Sequence, residues 1–220
     1  MSDELIFKLS QEEISILSEI EKMIKNRELP DIYPNFMLRS WNNYTFTLQK
    51  MFINNIGFVL LSKEWVKALS RWIGNRRCLE VMAGSGVLSA ELRKQGVNII
   101  ATDDYSWEKE KRGENIAWTK NQQVEALDAI LSLEKYGKNV DVLIMSWPPY
   151  ADEIAVKVLR KMRKVNPSCV MVYIGEQEGG CNANDEFFSV IKEIEDESFR
   201  AVNQKFQNWP LINDHPVLIR

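Results

Sequence analysis

The chain alternates between stretches with helical spacing of apolar residues and short apolar runs that suit buried strands. Ser10-Gln11-Glu12-Glu13 is a capping-box pattern, and Ile14, Leu17, Ile20 and Ile24 follow at helical spacing, so an amphipathic helix is predicted at the start. Leu29-Pro30-Asp31-Ile32-Tyr33-Pro34 ends it. From there to about Gly57, Phe36, Trp41, Tyr44, Phe46 and Phe52 show no clean period. That segment reads either as an aromatic packing layer or as a cap over a site, and residues 1–56 are taken as a helical extension on a core spanning 57–220. Ser62 then caps a helix whose Trp65, Val66, Leu69, Trp72 and Ile73 share one face, with Gly74 as its stop.

The next run, Cys78-Leu79-Glu80-Val81-Met82-Ala83-Gly84-Ser85-Gly86-Val87-Leu88, reads as strand, glycine turn and helix. Gly84 and Gly86 let a ligand lie close to the main chain, and the first N–H groups of the following helix point at that ligand. Asn98-Ile99-Ile100-Ala101-Thr102 makes a second strand that ends in Asp103-Asp104. Strand, glycine turn, helix, strand and acid is the wiring of a nucleoside-binding βαβ unit. Beyond it, the charged run Glu108-Lys109-Glu110-Lys111-Arg112 reads as a solvated face that breaks or shortens the next helix.

Gln123-Val124-Glu125-Ala126-Leu127-Asp128-Ala129 reads as a short strand ending in Asp128-Ala129, followed by Ile130, Leu131 and Leu133 on a helix that stops at Gly137. Val140 to Ser146 is a buried strand with Trp147-Pro148-Pro149-Tyr150 at its end. Asp152 is placed to cap a helix with Ile154, Ala155, Val158, Leu159 and Met162 inward and Lys157, Arg160, Lys161, Arg163 and Lys164 outward. Cys169 to Ile174 is another buried strand, leading into Gly175-Glu176-Gln177-Glu178-Gly179-Gly180. Phe187, Val190, Ile191 and Ile194 suggest a further helix, and Phe199 to Trp209 with Val217-Leu218-Ile219 suggest a closing antiparallel hairpin. The expected fold is α/β: a doubly wound, mostly parallel, seven-stranded Rossmann-like sheet.

Composition narrows the function. Seven Trp, nine Phe and 45% hydrophobic residues in 220 mean a packed globule. No apolar run is long enough to span a membrane, and Met1-Ser2-Asp3-Glu4 does not start a secretory signal, so a cytoplasmic location is expected. Cys78, Cys169 and Cys181 have no metal-ligand spacing and His215 stands alone, so a metal site is not expected. With a net charge of −3 and a pI near 5.5, bulk electrostatics does not favour a nucleic-acid backbone.

Counting from the acid, Glu80-Val81-Met82-Ala83-Gly84-Ser85-Gly86 resembles the E/D-x-G-x-G-x-G signature of class I S-adenosylmethionine-dependent methyltransferases, with Met82 at that family's first glycine. A dinucleotide site would want a third glycine at Ser89. Trp147-Pro148-Pro149-Tyr150 resembles the D/N-P-P-Y/F block of amino-group methyltransferases, with Trp147 at the acceptor position and Ser146 before it. The Glu80 to Gly84, Ser146 to Tyr150 and Tyr173 to Cys181 blocks also resemble a small group of predicted methyltransferases of no stated substrate.

The resemblance implies S-adenosyl-L-methionine as cofactor. It puts Glu80, Ala83, Gly84, Ser85, Gly86 and Ser146 around the methionine part and ribose, Asp103 or Asp104 on the ribose hydroxyls, and Asp128 with Ala129 at the adenine. Asp128 has a second reading as a helix N-cap. Trp147, Pro148 and Tyr150 would hold the methyl acceptor, and Glu176 or Glu178 would serve as base where one is needed. A small molecule or a protein side chain is the favoured acceptor. A nucleic-acid amino group is the alternative, and a cofactor- or partner-binding scaffold that turns nothing over is the third reading, suggested by Met82 and Trp147. Oligomeric state is left open.

Overall fold

The computed structural model describes residues 9–39, 42–108, 118 and 121–220. Trp41, residues 1–4 of the acidic start, and residues 109–112 of the charged run lie outside them.

Helix α1 (Gln11–Lys25) opens on the capping box: Ser10 Oγ accepts from the Glu13 N–H while the Glu13 carboxylate takes the Ser10 N–H. It buries Leu17, Ile20 and Ile24 and leaves Ile14 exposed. The aperiodic aromatic segment contains α2 (Asn35–Leu38) and α3 (Asn43–Asn55), the latter capped by Asn42. Sequence periodicity missed α3 because it buries Thr45 and Gln49 beside Leu48 and Phe52, which blurs the apolar stripe. Helix α4 (Lys63–Ile73) follows, with Ser62 as its cap and Gly74 ending it at φ +59°.

A six-stranded sheet forms the centre. In chain order it is β1 (Cys78–Val81), β2 (Ile99–Asp103), β3 (Val124–Ala126), β4 (Val142–Ser146), β5 (Val170–Gly175) and β6 (His215–Ile219). The spatial order is β3-β2-β1-β4-β5-β6, with β1 to β5 parallel and β6 antiparallel to β5. The connecting helices are α5 (Val87–Lys94), α6 (Ala129–Tyr136), α7 (Ile154–Val165), α8 (Asp185–Val190) and α9 (Glu197–Asn203). This is the doubly wound, mostly parallel, Rossmann-like sheet that the alternation of elements predicts.

Three expectations are corrected. Among the described residues the sheet has six strands and not seven, and the C-terminal hairpin is absent: Phe199 lies in α9, where Asp196 caps a turn that buries Phe199 and Val202 at a helical interval. The predicted helix through Ile194 stops at Val190, since Ile191 is extended and the Ile194 N–H donates to Leu218 O beside β6. Asp152 stands one position before the N-cap of α7, Glu153, although its Oδ1 does accept the Ile154 N–H.

Two apolar layers sandwich the sheet. One face of β4 and β5, with Val142, Ile144, Val172 and Ile174, packs in a single cluster with Leu17 and Ile24 of α1, Phe52 of α3, Trp65 of α4, Leu92 of α5 and Phe199 of α9. On the other face, Leu79, Val81, Leu143, Met145 and Met171 pack on α6, α7 and α8. No helix among the described residues is long and apolar enough to cross a membrane.

Candidate functional site

Strand order reverses between β1 and β4, which are neighbours in the sheet although β2 and β3 intervene in sequence. Ligands of open α/β sheets bind beyond the strand ends at such a switch point, and the glycine turn lies there. Gly84 has φ +55° and Gly86, the N-cap of α5, has φ +73°. A Cβ on Gly86 would overlap a methyl of Val124, so this glycine is required for packing. A Cβ on Gly84 would sit 3.1 Å from the Trp118 ring, which lies against the backbone where the sequence places a ligand.

Hydrogen bonds fasten the turn on two sides. The Ala83 N–H donates to Thr102 O at 3.0 Å, and the Gly84 N–H donates to Asp103 Oδ2 at 2.7 Å. Ser85 is buried, with its hydroxyl donating to Ile56 O. Asp103 is buried and also accepts from the Tyr105 N–H at 2.7 Å and from Trp107 Nε1 at 3.0 Å, so it braces the turn against β2. Burial pushes its carboxyl up, and those three donors pull it back. Asp104 is exposed at the strand end and accepts the Ser106 N–H.

Glu80 is 3% exposed, and burial in the apolar layer pushes its carboxyl up to about 7 against the pull of Ser89 and Arg93. Among the described residues its Oε2 has no hydrogen-bond partner, and neither does the buried Oγ of Ser146 at the end of β4. Asp128 caps α6, its Oδ1 accepting from the Ile130 and Leu131 N–H groups, with Ala129 buried behind it.

Trp147 follows β4 with φ +46°. Its N–H donates to Ile174 O at 2.8 Å, and its indole N–H donates to Asp214 Oδ2 at 2.9 Å. Asp214 is 2% exposed and is gripped a second time by Asn208; burial pushes its carboxyl up. Pro148 is buried and its carbonyl accepts the Ala183 N–H, whereas Tyr150 stands 69% exposed. Glu176 turns back on its own loop, Oε2 accepting the Cys181 N–H at 2.9 Å and Oε1 the Asn213 N–H at 3.3 Å.

Left-handed residues cluster at these strand ends. Met82 after β1, Tyr105 after β2 and Trp147 after β4 have φ of +54°, +56° and +46°, a conformation that costs a non-glycine residue about 1–2 kcal/mol. Met82 therefore holds, without being glycine, a conformation that glycine adopts freely.

Aromatic rings roof the site. Trp118 packs edge-on to Trp107 at 5.5 Å and to Phe58 at 5.9 Å between centroids, and Phe58 stacks on Trp147 at 5.6 Å. Trp118 also donates its indole N–H to Ile53 O at 2.6 Å. Phe58, Trp118 and Asp214 carried no local signal, because their partners are distant in sequence. A cleft of about 220 Å³ opens elsewhere, on the α8 side of β5 and β6 around Tyr173, Phe188 and Val217, with Glu176 at its rim. The candidate site lies at the strand ends and not in that cleft, because the glycine turn and the ends of β1, β2 and β4 lie at the switch in strand order.

Among solved structures the chain is similar to an S-adenosylmethionine-dependent methyltransferase from Archaeoglobus fulgidus, over 81% of this chain and 99% of that one, at 15% identity and a TM-score of 0.43. It is also similar to TehB from Haemophilus influenzae, over 78% and 66% of the two chains at 13% identity and a TM-score of 0.43. The magnesium protoporphyrin IX methyltransferase of Synechocystis PCC 6803, solved with bound S-adenosylmethionine, aligns over 97% and 99% at 9% identity and a TM-score of 0.42. No family model matches the sequence, and no curated protein matches it significantly. Scores and identities this low carry no assignment of function.

Proposed function

We propose that the chain is an S-adenosylmethionine-dependent methyltransferase acting in the cytoplasm on a small molecule or a protein side chain. The carrying observation is the β1–β4 switch point, where a braced glycine turn lies beside two buried oxygens, Glu80 Oε2 and Ser146 Oγ, that have no partner among the described residues. A nucleoside with an amino-acid tail fits such a donor and acceptor set. The group against Gly84 is the Trp118 side chain and not main chain, so in this reading that ring moves aside for the ligand to meet the backbone.

In this reading the cofactor supplies an electrophilic methyl group on a sulfonium, and the chain's own residues bind, orient and exclude water. Ala83, Gly84, Ser85 and Gly86 present backbone to the ligand. Asp104, exposed at the end of β2, takes the ribose hydroxyls, while Asp103 holds the turn in shape. Asp128 and Ala129 border the adenine from the start of α6. Trp147, Pro148 and Tyr150 shape the acceptor side; fixed walls suit a displacement in which alignment is most of the work. Glu176 is the carboxylate nearest in sequence to the end of β5. Residues 1–56 act as a cap, contributing Ile53 and Ile56 carbonyls to Trp118 and Ser85.

Four of the five cations on the basic face of α7 are already engaged, which weighs against the nucleic-acid alternative. Lys157 pairs with Glu153, Arg160 with Glu186 and Lys161 with Glu134, and Arg163 is bonded to the Val190 and Arg220 carbonyls. One observation favours the inactive scaffold: Trp147 is already bonded to Asp214 and stacked on Phe58. Calorimetric titration with S-adenosylhomocysteine and, separately, NAD decides the reading. Saturable binding of the former alone is expected; binding of NAD alone, or of neither, overturns it.

A further inference from the structure

The cleft of about 220 Å³ on the α8 side of β5 and β6 lies apart from the strand-end site. Its place follows from the alternation along β5. Tyr173 belongs to the apolar layer on that side, whereas its neighbour Ile174 and the Trp147 that follows β4 belong to the layer on the other face. The floor is apolar and largely aromatic. It consists of Tyr173, of Val217, which pairs with Tyr173 in register, and of Phe188 from α8, whose ring stands edge-on to that of Tyr173 at 6.3 Å between centroids. The volume is that of roughly seven waters at about 30 Å³ each, which is room for one ring with a short arm.

The rim carries charge of one sign. Glu176, Glu178 and Glu193 line the mouth, and among the described residues no lysine or arginine lines it. None of the three pairs with a lysine or arginine among the described residues, unlike Glu134, Glu153 and Glu186 around α7. Glu176 is also fixed in place, because its two oxygens accept the Cys181 and Asn213 N–H groups from separate loops. His215 is the remaining ionisable side chain at the mouth besides Tyr173, and its Nδ1 lies 3.3 Å from Asn213 O. Carboxylates gathered around a low-dielectric wall focus a field that draws in a cation.

We propose that this cleft binds a small organic cation, a primary ammonium on a flat apolar body. The ring lies on the floor among Tyr173, Phe188 and Val217, where aromatic edges and faces favour it. The ammonium stands at the mouth and donates its N–H groups to the carboxylates. An anion with the same body meets three carboxylates instead. A bare metal cation leaves the apolar floor unused, and no cluster of metal-ligating side chains occurs among the described residues. A sugar loses water to the floor without regaining its hydrogen bonds. Floor and rim come from β5, β6, α8 and the segments beside them, so the site stands independently of the methyltransferase reading; Glu176 alone is common to both.

The test is an amide-resolved NMR titration of the full chain with phenethylamine, at about 150 mM salt to screen diffuse attraction. Two controls each lack one part of the probe: ethylamine has the ammonium without the ring, and hydrocinnamate has the ring with a carboxylate. Phenethylamine should bind with a dissociation constant of about 0.1–5 mM, in keeping with its size. It should shift the amides of Tyr173, Phe188 and Val217. Each control should bind at least about tenfold more weakly. Glu178→Gln together with Glu193→Gln, both at exposed positions, should weaken phenethylamine by roughly tenfold, since one exposed carboxylate contributes up to about fivefold.

Equal binding of hydrocinnamate overturns the proposal by removing the role of the rim. Equal binding of ethylamine overturns it by reducing the rim to a counter-ion atmosphere. Shifts centred on Gly84 and Trp147 also overturn it, because they assign the probe to the strand ends. So does unchanged affinity in the double variant, or the absence of any shift up to about 20 mM phenethylamine.

Discussion

At the residue scale, Glu80 is a buried carboxyl whose ionisation opposes folding. Its carboxyl sits at about 7 in the folded chain against an ordinary value of 4.5, with burial as the main cause. Between those two pH values the unfolded chain has lost the proton and the folded chain still holds it, so stability falls as pH rises. The contribution is fully present below about 4.5 and gone above about 7. The window spans roughly 3 kcal/mol at about 1.4 kcal/mol per unit, and little is lost to screening because the group is 3% exposed. Glu80→Gln keeps the shape of the protonated form, so it should match the unmodified chain near pH 5 and exceed it by a few kcal/mol near pH 8. Urea denaturation at both pH values checks this. An equal effect of the substitution at both would show that Glu80 does not titrate in that window.

At the element scale, the strand ends gather the candidate site residues and also mark the limits of sequence reading. The glycine turn, Asp103-Asp104 and Ser146-Trp147-Pro148 were legible because each sits directly after an apolar run whose direction the following helix fixes. Helix α3 was not, since polar Thr45 and Gln49 are buried in it, and the C-terminal hairpin was expected where Asp196 in fact starts a helix. Asp214 was invisible for a different reason. Its partner Trp147 is 67 residues away, and no local pattern reports a contact between a strand end and a connection before β6. Pairs of that kind are found only when topology brings β4, β5 and β6 side by side.

The same pair yields an element-scale prediction. A hydrogen bond is worth about 0.5–1.5 kcal/mol to a neutral acceptor and about 1.5–3 kcal/mol to a charged one, and the buried Asp214 accepts from both Trp147 Nε1 and Asn208 Nδ2. Trp147→Phe and Asp214→Ala should each destabilise the chain, with the double variant less destabilised than the sum by about 1–3 kcal/mol. Chemical denaturation of the four proteins measures the coupling. Additivity within about 0.5 kcal/mol would show that the bond does not tie the end of β4 to the segment before β6.

At the scale of the whole molecule, the question is whether residues 1–56 are an accessory or part of the core. Sequence suggests a division at 57, and the packing argues that the two parts share one apolar layer. Leu17, Ile20, Ile24, Leu48 and Phe52 are all at most 4% exposed, and they lie in the same cluster as Val142, Ile144, Val172 and Ile174 of the central strands. Tyr33 ties the connection between them to the far end of the chain: its N–H donates to Gln207 Oε1, its carbonyl accepts from Gln207 Nε2, and its ring lies 6.5 Å from Trp209. Phe52 packs edge-on to the same Trp209 at 5.6 Å. Removing one such large apolar side chain costs about 2–5 kcal/mol, and a domain's entire stability is about 5–15 kcal/mol. Removing all of them at once, with the exposure of Trp65 and Trp209 that follows, exceeds what the sheet and its other layer can supply. A chain starting at Gly57 should therefore fail to reach a cooperative folded state, showing no sharp urea transition and no dispersed amide spectrum, whereas the same chain mixed with a separately made 1–56 fragment should recover both. A cooperatively folded 57–220 fragment would refute the shared core and make the N-terminal helices a detachable cap.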